Sequence, residues 1–115
     1  MLNIETKKLG TVAVLGLQGK MVIGQTEALR DAVQSLTQIT SVKLDLSRVS
    51  IVDAHGLGLL LQLREQTLAK GMRFQLSNAS AALRDIMRLT RLDTVFQISS
   101  GVEVAASVQR AQLAA

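Results

Sequence analysis

Leu2, Ile4 and Thr6 alternate with the more polar Asn3, Glu5 and Lys7. This period of two predicts an edge strand, and Lys7 and Lys8 discourage pairing with another edge. Leu9-Gly10 reads as a turn. Thr11 to Leu17 is β-branched and apolar, a second strand in a hairpin with the first, ended by Gln18-Gly19-Lys20. The period then lengthens. Ala28, Leu29, Ala32, Val33, Leu36 and Ile39 form a stripe at helical spacing, with Glu27, Arg30, Asp31 and Gln34 on the other side. The helix should begin near Gly24 to Thr26, and Thr26 is a candidate cap.

Thr40-Ser41 separates that helix from a strand over Val42 to Leu46, where Lys43 and Asp45 alternate with apolar residues. A short polar loop follows and leads to Asp53-Ala54-His55-Gly56. From Leu57 the apolar density is too high for strand alternation and predicts a buried helix to about Ala69, wet at Arg64, Glu65 and Gln66, stopped by Lys70-Gly71. Arg73 to Ser77 alternates again as a strand. Asn78 is placed to cap a third helix with the stripe Ala79, Ala82, Leu83, Ile86, Met87 and Thr90. Val95 to Ile98 suggests a short last strand. Ser100-Gly101-Val102-Glu103 is a capping-box pattern opening a terminal helix with Val104, Ala105, Val108 and Leu113. Strands alternating with helices predict an α/β fold with a largely parallel sheet, made mixed by the first hairpin. No repeat or interior linker interrupts the pattern, so residues 1–115 are expected to form one domain.

Composition narrows the function. The 115 residues contain two Phe and no Trp or Tyr, so the core must be aliphatic. Cysteine is absent, which excludes a disulfide framework or zinc-finger spacing and suits a reducing, cytoplasmic setting. No apolar run approaches the roughly 20 residues of a membrane span. The N-terminus has neither the apolar block nor the cleavage site of a signal peptide. The net charge of +4 is spread along the chain. With only two aromatic residues, both Phe, to stack on bases and no nucleic-acid motif, a mildly basic solvated surface explains it better than nucleic-acid binding.

Chemistry has few candidates. Asp53 and His55, the only histidine, are spaced as a general base and its orienting carboxylate, but no strong nucleophile stands beside them. The plainer reading of these residues is a turn and helix cap with His55 in solvent. One histidine and no cysteine argue against a transition-metal site, and Gly56 and Gly58 lack the remainder of either phosphate-binding glycine pattern. No cofactor is expected. The glycine pair does let another backbone or a partner come close. Arg84, Arg88 and Arg91 fall on one side of the third helix and its exit. They offer a surface to an acidic partner, or simply a solvated face opposite Leu83, Ile86 and Met87, and the second reading is the simpler.

Leu44-Asp45-Leu46-Ser47, Val49, Asp53 and Gly56-Leu57-Gly58 resemble the signature of the STAS domain, the family named for sulfate transporters and anti-sigma factor antagonists. Gly19, Gly71, Leu92-Asp93 and Phe96 extend the resemblance over nearly the whole chain. It implies a mixed sheet of four or five strands with about four helices packed mainly on one side. It also implies a non-enzymatic regulator of transcription. In the family, the unphosphorylated antagonist binds an anti-sigma factor and frees the sigma factor. That anti-sigma factor is a serine kinase, and it modifies the antagonist in the loop before the central helix. The family motif there is Asp-Ser-Ser-Gly-Leu-Gly, with the second serine as acceptor. Here Ala54 and His55 occupy the two serine positions, so the usual switch is missing. The resemblance makes Asp53, Ala54, His55, Gly56, Leu57 and Gly58 the partner-binding stretch and Asp45 and Ser47 its support. Ser47 and Ser50 are other hydroxyls near the loop. The alternative role is an accessory subunit of a lipid-transport ABC system or a stress-signalling complex. Direct nucleic-acid contact and membrane insertion are not expected.

Overall fold

The computed structural model describes residues 2–99. Five strands form one sheet in the order β1 to β5: β1 Asn3–Leu9, β2 Val12–Met21, β3 Ser41–Val52, β4 Arg73–Ser77 and β5 Gln97–Ser99. β1 and β2 are an antiparallel hairpin, and every later pairing is parallel. The crossovers are helical: α1 Glu27–Gln34, α2 Ala54–Ala69 and α3 Ala81–Leu89, the last followed by a 3₁₀ turn at Leu92–Thr94. The parallel part of the strand order advances in one direction. Right-handed crossovers therefore place the helices mainly on the same face.

Register explains the core. Leu15, Leu44 and Leu76 stand side by side on β2, β3 and β4, and all are fully buried under the helices. Ala13, Val42 and Phe74 form the next row of that face. α2 contributes Leu59, Leu60 and Leu63, α1 contributes Leu29 and Val33, and α3 contributes Leu83 and Met87. On the opposite face the row Lys7, Val14, Lys43, Gln75 and Gln97 crosses all five strands. Lys43 donates to Gln75, whose amide donates to Gln97 at 3.0 Å, so a polar relay tracks that row.

Several predicted boundaries shift. β2 runs on through Gln18-Gly19-Lys20, and the expected polar loop after Leu46 is a continuation of β3. Two one-residue register shifts against β2 break the alternation there, one after Asp45 and one at Ser50, whose hydroxyl donates to the Gly19 carbonyl at 3.2 Å. Bulged residues lose strict alternation while the ladder persists, which is why the segment reads as loop. α1 ends at Gln34; Leu36 and Ile39 are buried from the loop beyond it, and Ala28 is exposed. Asn78 does not cap α3. It adopts a left-handed conformation with φ 57°, and Ser80 accepts from the Leu83 N–H at 3.2 Å instead. The buried stripe of α3 is the narrower pair Leu83 and Met87, with Ala82, Ile86 and Thr90 exposed. The last strand begins at Gln97, after buried Phe96. Gly71, with φ 78°, ends α2 in the conformation that favours glycine. Three α-helices lie among the described residues; the helix expected after Ser100 lies outside them.

Candidate functional site

α2 starts three residues earlier than the apolar run suggests, because Asp53 caps it. Asp53 is extended, and its Oδ1 accepts from the Gly56 N–H at 2.9 Å. Its Oδ2 accepts from the Ile23 N–H at 3.0 Å, in the loop between β2 and α1. The Gly56 N–H, and then that of Ile23, hold the Asp53 carboxyl below its ordinary value of 3.8; the nearby His55 charge acts in the same direction. The cap is therefore ionised at neutral pH and complements the positive end of the helix.

His55 follows in the first turn of α2 and is exposed. Its Nε2 shares a hydrogen bond of 3.2 Å with the hydroxyl of Thr26, which is buried. Thr26 occupies the capping position of α1 but makes no side-chain cap to that helix; its hydroxyl is turned to His55. The loop from Met21 to Thr26 is thus held to the α2 entry by Asp53 and His55 together. The Asp53 N–H adds a third tie, to the Met21 carbonyl at 3.2 Å. With both Asp53 oxygens engaged by backbone and His55 bonded to Thr26, the geometry does not form an Asp–His acid–base pair.

The two glycines of the stretch differ. Gly56 is buried, and a Cβ there would lie 2.2 Å from the Met21 carbonyl oxygen. The backbone that it admits belongs to this chain. Gly58 is exposed and a Cβ there would meet nothing within 4 Å, so its outer side is open to an approaching molecule. Ala54 is exposed and Leu57 half-buried against the core. Two large apolar side chains adjoin the turn in solvent: Ile23 is 72% exposed and Ile51 is 51% exposed. Sequence periodicity passed over both. The signals were an apolar residue outside any stripe, beside Gly24, and an Ile-Val pair that breaks β3 alternation.

Asp45 and Ser47 lie at the first β3 bulge. The Asp45 Oδ1 accepts from the Ser47 N–H at 2.9 Å and from the Asn78 amide at 3.2 Å, which ties the bulge to the exit of β4. Partial burial pushes the Asp45 carboxyl up. The Ser47 and Asn78 hydrogen bonds and the Arg48 charge outweigh it and hold its pKa below 3.8. Arg84, Arg88 and Arg91 are exposed; Arg88 pairs with Asp85 one turn away, and Arg91 lies past the end of α3. Among the described residues no group of three or more His, Cys, Asp or Glu is placed to hold a metal ion. No described helix is long and apolar enough to cross a membrane.

The STAS domain profile matches residues 3–110, which include every strand and helix above. The chain belongs to the STAS domain family. A STAS-domain containing protein of Pseudomonas aeruginosa is 28% identical over 92 residues, or 78% of this chain and 90% of that protein. An anti-sigma factor antagonist from Mycobacterium paratuberculosis superposes with a TM-score of 0.81 at 22% identity over 95% of both chains. The Bacillus cell fate determinant SpoIIAA, in its phosphorylated form, gives 0.71 at 20% identity over 92% of this chain and 99% of that one. These two likenesses establish the shared fold. Within this fold His55 lies about one turn before the open side of Gly58.

Proposed function

We propose that this STAS domain is a non-enzymatic, cytoplasmic regulator of the anti-sigma factor antagonist type. It docks through the Asp53–Gly58 turn on an anti-sigma factor that is also a serine kinase, and so releases a sigma factor. The observation that carries this reading is the exposure of two apolar side chains, Ile23 and Ile51, next to an open, capped helix entry. Large apolar side chains held in solvent beside a rigid turn are characteristic of interaction surfaces. Ile23 is fixed there by its own N–H on Asp53, so little ordering entropy opposes docking.

The serine switch is absent. A phosphoserine adds about −1.5 to −2 charge at neutral pH and several acceptor oxygens. A helix N-terminus tolerates that charge, so the disruption would fall on the partner. His55 has no hydroxyl to accept the group, and its ring nitrogen is engaged by Thr26. Binding is then constitutive or set by another input. Titration of the chain with anti-sigma kinases encoded near its gene tests this. Saturable binding is expected, weakened about tenfold or more when Ile23 and Ile51 are both changed to Asp, with the fold intact. The kinase should leave residue 55 of the natural chain unmodified and transfer phosphate to His55→Ser. Absence of binding to every such kinase overturns the proposal.

A further inference from the structure

A second feature lies at the other end of α2. Leu68 is about 21 Å along the helix from Ala54, at 1.5 Å per residue. Here a cleft of about 370 Å³ opens between the last turns of α2, the start of β4 and the entry to β5. It is lined by Arg64, Leu68, Arg73, Phe74, Val95 and Gln97. Its apolar members are Leu68, Phe74 and Val95. Phe74 is buried, with its ring centroid 6.2 Å from that of Phe96 in a tilted pair, which fixes the aromatic surface. Leu68 stands 45% exposed over it, in a helix whose other leucines at 59, 60 and 63 are buried.

The charges of the cleft have one sign. Among the described residues Arg64 and Arg73 are the only ionisable members of the lining, and no described carboxylate belongs to it. Among the described residues neither guanidinium has an ion pair or a side-chain hydrogen bond. Offsetting the negative end of α2 does not account for Arg64. It falls before the last turn, where that field has faded, and the last turn itself carries no basic residue. Two forked donors beside the exposed Leu68 side chain match an anion that carries an apolar body.

We propose that this cleft binds an amphiphilic carboxylate, with its hydrocarbon chain along Leu68 and Val95 and its carboxylate shared by Arg64 and Arg73. The site is separate from the Asp53 turn and does not depend on the docking reading. Decanoate is the probe, titrated into the full chain with labelled methyl groups and followed by NMR. Saturable shifts are expected at the Leu68 and Val95 methyls, while those of Ile23 and Ile51 stay in place. Decanol, with the same chain and no charge, should bind about tenfold more weakly, and so should decanoate to the double variant Arg64→Gln, Arg73→Gln. Both arginines are at the surface, and an unchanged circular dichroism spectrum verifies that the variant folds. The proposal is overturned if the natural chain shows no saturable shift at Leu68 and Val95, or if decanol binds as well as decanoate.

Discussion

Gly56 and Gly58 are two residues apart on one helix, yet they answer to opposite constraints. At Gly56 a methyl group would meet the Met21 carbonyl at 2.2 Å, and backbone on both sides must move to admit it. Gly56→Ala should therefore destabilise the fold by about 1–3 kcal/mol, read from the urea midpoint. Gly58 faces open space, so Gly58→Ala should stabilise by about 0.5–1 kcal/mol through helix propensity alone. If docking uses that open side, the same variant should bind a partner more weakly although it is more stable. The two buttressing carboxylates set the acid response. Asp45 and Asp53 both have folded values depressed below 3.8. Their contribution is complete above the unfolded value and is lost as pH falls through the folded values. Thermal midpoints should thus drop below about pH 4, and the double variant Asp45→Asn, Asp53→Asn should flatten that acid limb.

At the scale of elements, α2 is defined by its two ends more than by its stripe. Its face is apolar almost throughout, so periodicity alone leaves the start undefined. The Asp53 cap sets it, and Gly71 with φ 78° sets the stop. Gly71→Ala should cost about 1 kcal/mol in urea unfolding, the strain of a left-handed alanine. β3 shows the converse. Its first half is legible from Val42, Leu44 and Leu46, but its second half is carried by pairing to β2 across two bulges. Val49 is buried while Ser47, Arg48, Ser50 and Ile51 are exposed, so no period-two signal survives there. Those bulges let β3 reach the level of Met21 and deliver Asp53 beneath the Ile23 N–H. α3 buries only Leu83 and Met87, and Ile86 and Leu89 remain exposed.

Over the whole molecule, the sheet order concentrates the core on one face. Leu44 is its centre, fully buried between Leu15 and Leu76 and beneath the helices. Leu44→Ala should cost about 2–5 kcal/mol by urea denaturation, a large share of the roughly 5–15 kcal/mol typical of a domain. Such a loss would leave the chain near its unfolding threshold at 37 °C. The architecture itself was readable in advance, because strand and helix periods are local properties of five to fifteen residues. The STAS signature was readable for the same reason, since Leu44 to Gly58 is one contiguous stretch. The sequence by itself determined the α/β order, the hairpin and the stop at Gly71. Only the tertiary structure decided what His55 touches. Thr26 lies 29 residues away, with a local role as a helix cap that it does not perform, and nothing in its neighbourhood signals the partner it takes. The exposure of Ile23 and the crowding of Gly56 against Met21 are likewise set by β2 and α2 meeting across the loop. Contacts of that kind depend on which elements are brought together, and a linear pattern carries no record of them.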